Sequence, residues 1–346
     1  MKPANWNILH PLRIETKKHI MENKINRIAV LTSGGDAPGM NAAIRAVVRT
    51  ALFEGLEVYG IRRGYQGLLE EDIFPMDSRS VANIIQKGGT ILKSARCKEF
   101  YTAEGRKRGY DILQKYGIEG LVVIGGDGSF KGALALSQEY NMPVIGLAGT
   151  IDKDITGTDF TIGFDTAVNT AVEAIDKIRD TADAHDRLFI IEVMGRDAGY
   201  IALHSGIACG AESILIPERK THPEAIIASL QEKERRKKLV NIIVVAEGDE
   251  WGGDQLYRLI KKRLPNMDTR LCTLGHIQRG GSPSGFDRLL ASRMGYHAVE
   301  CLLNGKHNVF VGILNNRMNY IPLEDVAKKK GKVTEEWMKI AKTLAY

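Results

Sequence analysis

Two carboxylates one residue apart follow a glycine in Gly149-Thr150-Ile151-Asp152-Lys153-Asp154. Read as an extended tip, this segment turns both acids to the same side, because alternate side chains of an extended chain share a face. One acid can then take the proton of a hydroxyl while the other steadies a metal ion or substrate, the division of labour that phosphoryl transfer requires. The same geometry sends Lys153 to the opposite side, clear of both acids. A third acid stands in Gly125-Gly126-Asp127-Gly128-Ser129, where glycines clear room for a nucleotide and a carboxylate can hold Mg²⁺ directly or through water. Thr32-Ser33-Gly34-Gly35-Asp36 lets the backbone approach an anion closely, and the helix that follows carries Arg45 and Arg49. Met194-Gly195-Arg196 offers a guanidinium for phosphate, and Glu247 a carboxylate for sugar hydroxyls. In the run Leu274 to Pro283, Arg279 beside glycines suits a phosphate clamp, with His276 close by. Each of these has a plainer structural reading, as a tight turn, a helix cap, a solvated acid pair or a structural histidine; their number and their placement are what point to chemistry.

The placement follows from the elements between them. Short apolar runs recur at Arg27 to Leu31, Glu57 to Ile61, Gly120 to Ile124, Pro143 to Leu147, Leu188 to Val193, Ser213 to Ile216, Asn241 to Ala246 and Arg270 to Leu274. Helical patterns fall at Asn41 to Phe53, Lys131 to Glu139, Ala167 to Arg179, Pro223 to Lys237 and Asp287 to Leu303. Continuous apolar strands alternating with helices mean buried parallel strands in α/β units. There are too many for one ordinary sheet, so two are expected. The glycine-rich loops sit where strands end, which is where open α/β sheets bind ligands.

Composition narrows the class of ligand. The 346 residues, against roughly 150 per domain, suggest two domains. A net charge of +6, with one basic run at Glu232 to Lys238, favours small anionic ligands over nucleic acid. Four scattered cysteines, Cys97, Cys209, Cys272 and Cys301, lack zinc spacing and fit a reducing cytoplasm. No stretch approaches the ~20 apolar residues of a membrane helix. Residues 1–24 mix polar and apolar types without period and are expected to be a disordered extension.

Taken in order, TSGGDAPGMNAAIR, GGT followed by SAR, VVIGGDGS, GTID with a second Asp, EVMGR, and LGHIQRGGSPS with FDR and LASRMG strongly resemble the bacterial ATP-dependent 6-phosphofructokinases, from about Lys24 to the C-terminus. The resemblance implies two Rossmann-like three-layer α/β/α domains with mostly parallel sheets and an active site in the cleft between them. The larger, ATP-binding domain would comprise 25–162 plus 278–328, and the smaller, fructose 6-phosphate-binding domain 163–277 plus 329–346. It further implies a homotetramer that transfers phosphate from MgATP to the 1-hydroxyl of fructose 6-phosphate. The family's base falls on Asp152 and its Mg²⁺ carboxylates on Asp127 and Asp154. Nucleotide-side positions fall on Gly35, Tyr65, Arg96, Cys97, Arg106, Gly126, Asp127, Gly128 and Ser129, with Arg96 reaching the transferring group. Sugar-phosphate positions fall on Thr150, Met194, Gly195, Arg196, Glu247, His276 and Arg279, and Arg187 and Arg270 match residues lent to a neighbouring subunit. Arg45, Arg49, Arg179, Glu212, Arg236 and Lys238 match an effector site for ADP or phosphoenolpyruvate.

The chain departs from the family pattern at Ala148, usually proline, and Lys153, usually asparagine. Tyr101 replaces an arginine near the nucleotide, and Ser78 an effector-site arginine, beside Arg79. Two alternatives are a pyrophosphate-dependent enzyme of the same fold and a catalytically weakened regulatory paralogue. The small residues Gly128 and Gly149, where the pyrophosphate branch carries Asp and Lys, leave room for ATP.

Overall fold

The computed structural model describes residues 25–235, 242–328, 331 and 333–344. The expected N-terminal extension, Arg236 and Lys238 lie outside the described residues. Strands β1 (Arg27–Thr32), β2 (Glu57–Ile61), β3 (Ile73–Met76), β4 (Gly120–Gly125) and β5 (Val144–Ala148) alternate with helices α1 (Met40–Phe53), α2 (Gly64–Leu69), α3 (Ala103–Lys115) and α4 (Asp127–Tyr140). After α5 (Phe164–Asp183) come β6 (Leu188–Val193), α6 (Tyr200–Ala208), β7 (Ser213–Leu215), α7 (Pro223–Arg235), β8 (Ile242–Ala246), α8 (Gly252–Arg263) and β9 (Thr269–Thr273). The chain then returns through α9 (Gly285–Leu303), β10 (Val309–Leu314), β11 (Arg317–Pro322), α10 (Leu323–Lys328) and α11 (Glu335–Leu344).

Two sheets result, as the count of apolar runs requires. One has seven strands in the order β11-β10-β5-β4-β1-β2-β3, the other four in the order β7-β8-β6-β9. The interior pairings β2-β1-β4-β5-β10 and all pairings of the smaller sheet are parallel. Buried strands such as β4 and β5, covered by helices on both faces, carry apolar residues at every position because neither face meets water. The sequence reading missed the three strands at the two edges, β3, β10 and β11. Both edges end in an antiparallel pair, β2 with β3 and β10 with β11. β3 contains Pro75, and β11 carries Arg317, Asn319 and Pro322 with no position fully buried, which suits an edge and hides both strands from a search for apolar runs.

Helices begin earlier than their apolar periodicity suggests. α1 and α5 start at glycine caps with left-handed backbone, Gly39 at φ 108° and Gly163 at φ 102°. Neither glycine has a side chain to accept the free N–H groups of the first turn. For α5 the acceptor comes from α9: Gly163 N–H and Thr166 N–H donate to the buried Asp287 carboxylate at 2.9 and 2.8 Å, and the Thr166 hydroxyl donates at 2.5 Å. In return, Ser284 at the start of α9 donates its N–H to the Thr166 hydroxyl (3.0 Å) and its own hydroxyl to Asp165 (2.6 Å). Two helix N-termini thus cap one another where the chain passes from the larger sheet to the smaller. Asp287→Ala leaves three buried donors without a partner and is expected to lower stability by about 2–4 kcal/mol, measured by urea denaturation.

Candidate active site

The carboxyl ends of both sheets open onto one cleft with a volume of ≈ 690 Å³. Its floor and walls include Gly35, Tyr65, Arg96, Cys97 and Gly126 to Ser129 from the larger sheet's loops. Thr150 and Asp154 come from the loop after β5, and Met194, Arg196, Glu247, His276 and Arg279 from the smaller sheet. Residues far apart in sequence meet because each loop leaves the same end of its sheet.

Asp152 lies beneath this surface, 1% exposed, and both of its carboxylate oxygens lack a hydrogen-bond partner among the described residues. Arg196 Nε approaches Asp152 Oδ2 at 3.4 Å. Burial raises the Asp152 pKa above the ordinary carboxylate value; Arg196 opposes the shift, Asp154 adds to it, and Arg279 and Glu247 act with smaller opposite effects. A carboxylate so placed accepts a proton more readily than one in water. Thr150 supports it: the Asp152 N–H donates to the Thr150 hydroxyl at 3.2 Å, and the Thr161 hydroxyl donates to the Thr150 carbonyl at 2.6 Å.

Arg196 is aimed by its backbone. Its φ of 51° is left-handed, and the N–H groups of Gly195 and Arg196 both donate to Glu247 Oε1, at 3.2 and 2.8 Å. Glu247, expected to bind sugar hydroxyls, therefore also fixes the arginine loop. Gln278 adds a second fastening that the sequence reading passed over, accepting the Met194 N–H at 2.9 Å from a fully buried position. Arg279 Nη1 donates to the Asp36 carbonyl (3.1 Å), and a Cβ on Gly35 would lie 2.7 Å from that nitrogen, so Gly35 is small to admit the guanidinium.

On the nucleotide side, the Tyr65 hydroxyl donates to the Ser129 carbonyl at 2.7 Å and its ring stacks on Phe100, centroids 4.1 Å apart. Asp127 is the first residue of α4, after Gly126, and pairs with Lys131 at 2.8 Å. Arg106 does not line the cleft: it is bound to Glu139 and to the carbonyls of Phe100 and Tyr101, and so braces the segment bearing those residues. Tyr101 lines the rim and is largely exposed.

Several expected residues lie elsewhere. Arg187 and Arg270 converge on Asp268, at 2.7 and 3.1 Å. They sit at the amino ends of β6 and β9, so the length of a six-residue strand, roughly 20 Å, separates them from the cleft. Arg45 and Arg49 lie on α1, whereas Arg179 donates to the Cys209 carbonyl (2.5 Å) and Glu212 accepts the Ile242 N–H (2.8 Å) beside the smaller sheet. Ser78 and Arg79 occupy an exposed turn held by the Asp77 carboxylate. The expectation of an extended acid loop is incorrect. Lys153 has φ 55°, a tight turn, and its side chain runs to a group of aromatic rings. Gly149 is small for a reason other than the one expected: its Cβ would strike Met40 at 2.8 Å and Ile124 at 3.0 Å in the core, while a Cβ at Gly128 would meet open space.

A glycine-walled anion cleft facing a buried carboxylate, set between paired α/β sheets, is the architecture of an enzyme that transfers phosphoryl groups to small molecules. The family model for phosphofructokinase matches residues 27–302. The chain is 56% identical over 321 residues to the ATP-dependent 6-phosphofructokinase of Shouchella clausii, 93% of this chain and 100% of that one. It is 54% identical to ATP-dependent 6-phosphofructokinase 1 of Thermus thermophilus, again over 93% and 100%. Among solved structures, phosphofructokinase from Saccharomyces cerevisiae superposes with a TM-score of 0.81 at 38% identity, covering 88% of this chain and 45% of that longer one. A pyrophosphate-dependent phosphofructokinase from Marinobacter aquaeolei gives the same TM-score at 24% identity over 93% and 92%, a likeness of fold. The chain belongs to the phosphofructokinase family, and the expected fold class holds. Among the described residues no helix is long and apolar enough to cross a membrane.

The burial of Asp152 has a consequence for stability. A carboxyl whose folded pKa is raised stabilises the fold fully below its unfolded pKa of 3.8, and that contribution is lost as pH rises through the folded pKa. Asp152→Asn is therefore expected to have a thermal midpoint equal to or above that of the unmodified protein at pH 7.5. The difference should shrink toward pH 4, as read by differential scanning calorimetry.

Proposed function

We propose that this phosphofructokinase transfers the γ-phosphoryl group of ATP to the 1-hydroxyl of fructose 6-phosphate, giving fructose 1,6-bisphosphate and ADP. The observation that carries the reading is the buried Asp152 carboxylate, without a hydrogen-bond partner among the described residues, flanked by Arg196 and borne on the loop next to the Asp127 glycine loop. Asp152 takes the hydroxyl proton as the new O–P bond forms. Arg196 and Arg279 hold phosphate oxygens from the sugar side, and Arg96, with backbone N–H groups near Gly35, meets the transferring group. Tyr65, Cys97 and Gly126 to Ser129 bound the nucleotide, while Met194, Gly195, Glu247 and His276 bound the sugar.

Asp127 and Asp154 line the same cleft, and two carboxylates suit Mg²⁺, which keeps several waters and takes its remaining ligands from substrate phosphates. With ATP, Mg²⁺ supplies neutralisation of the charge developing on the phosphoryl oxygens. The open space beside Gly128 supports ATP over pyrophosphate.

We assign the domains as 25–162 plus 278–328 for ATP and 163–277 plus 329–346 for the sugar phosphate, in a cytoplasmic homotetramer. Arg187 and Arg270 then serve a neighbouring subunit's sugar phosphate, which their position at the far end of the strands supports. The effector site for ADP or phosphoenolpyruvate combines Arg45 and Arg49 of one copy with Arg179, Glu212, Arg236 and Lys238 of another.

Coupled assays with each donor are expected to give turnover with ATP and none above background with pyrophosphate; comparable rates with the two would reject the assignment. Asp152→Asn should lower kcat by roughly 10²–10⁴ while fructose 6-phosphate still binds. Shared sites make a separate demand. Refolding inactive Asp152→Asn chains together with inactive Arg270→Ala chains should restore activity, because mixed assemblies contain some sites with both residues native.

A further inference from the structure

Lys153 occupies the position between the two acids, and its side chain leaves the cleft altogether. The left-handed backbone there, φ 55°, turns its ammonium onto three rings: Tyr200 at 4.9 Å, Phe164 at 5.1 Å and Phe160 at 5.3 Å from the ring centroids. Two of the rings belong to the segment that enters α5 and the third to α6. Phe160 lies in the segment that leads out of the acid loop, Phe164 is the first residue of α5 and Tyr200 the first of α6. One turn further along α6, the His204 ring stands edge-on to Phe164 at 5.1 Å and against Trp337 of α11 at 4.8 Å. The turn bearing Asp152 and Asp154 is therefore plugged by its own cation into a box assembled by the helices over the smaller sheet.

An ammonium is drawn to ring faces more strongly as water is excluded, and Lys153 is half-buried among them. The left-handed φ is one that a non-glycine residue rarely adopts without compensation, and the seat in the rings supplies it. The cation beside Asp152 is Arg196, at 3.4 Å, while the Lys153 ammonium is turned onto the rings. Its effect on the acids is thus one of placement.

We propose that Lys153 is a positioning residue for the phosphoryl transfer: seated in the box of Phe160, Phe164 and Tyr200, its ammonium fixes the turn that carries Asp152 and Asp154 where the two sheets meet. This inference rests on the roles proposed for those two acids. A misplacement of about 1 Å at a reacting group is enough to cost up to ~10²-fold in rate, so the loss on freeing the turn belongs in kcat.

The test uses the full chain with ATP and fructose 6-phosphate, comparing Lys153→Met, Lys153→Arg, Tyr200→Leu and the Lys153→Met/Tyr200→Leu double variant. Lys153→Met should lower kcat by about 10- to 100-fold with the KM for ATP changed less than about threefold. Lys153→Arg should return kcat to within about threefold of native, since a guanidinium also stacks on ring faces. The double variant should be no slower than Lys153→Met alone, because both changes break one interaction. A kcat within twofold of native for Lys153→Met, an arginine variant as slow as the methionine one, or additive losses would each overturn the proposal. If Lys153→Met does not fold, Tyr200→Leu decides alone: reduced kcat at a native thermal midpoint supports the box, and unchanged kcat overturns it. Turnover by the unmodified protein tests the assigned reaction, so failure of that reading is seen separately from failure of the variant ratios.

Discussion

A carboxylate buried without a hydrogen-bond partner among the described residues is the constraint around which this molecule is arranged. Taking an ionised carboxyl out of water is costly, and the usual relief is protonation or a close cation. Asp152 has Arg196 at 3.4 Å and Arg279 nearby, but Asp154 and Glu247 add negative charge to the same small volume. The balance leaves Asp152 poised to take up a proton, a disposition useful to a base and unfavourable to stability. Only a rigid surround keeps such a group in place, and the surround here is the convergence of two sheets at their carboxyl ends.

That convergence is held by polar contacts that the cleft residues themselves do not make. Asp287 of α9 accepts N–H groups at the N-terminus of α5, while the Thr166 hydroxyl of α5 accepts the N–H of Ser284, the cap of α9, whose own hydroxyl donates to Asp165. Four N-terminal N–H groups per helix need partners, and here each helix finds some of them on the other. On the opposite wall Gln278 and Glu247 together fasten three consecutive N–H groups, those of Met194, Gly195 and Arg196. The arginine that faces Asp152 is therefore aimed by a rigid backbone, which accounts for a left-handed φ at a non-glycine residue.

The parts legible in the sequence were those with local signatures. Apolar runs closed by Gly, Asp or Pro located eight strands and the loops that follow them, and cleft residues such as Asp127, Thr150, Arg196 and Arg279 came from those loops. The illegible parts depend on partners distant in the chain. Nothing in the residues around Asp287 indicates that it caps a helix more than a hundred positions earlier. Arg106 has the charge of a phosphate ligand, yet Glu139 and two carbonyls engage it. Alternation of two acids predicts an extended acid loop; its left-handed turn follows from where the rings of Phe160, Phe164 and Tyr200 draw Lys153.

Gly128 and Gly149 show how an inference about space depends on the direction of a missing side chain. Both are small, and smallness alone suggests that both make way for a nucleotide. The vectors differ: at Gly149 an added Cβ points into the packed side chains of Met40 and Ile124, whereas at Gly128 it points into open space. Interiors packed to crystal-like density give way poorly, so a larger residue at Gly149 would first disturb the seam between α1 and β4. Its effect on the cleft would come through displacement of the loop that carries Thr150 and Asp152. Open space in the cleft is therefore set directly at Gly128, while Gly149 governs where the loop bearing Thr150 and Asp152 begins.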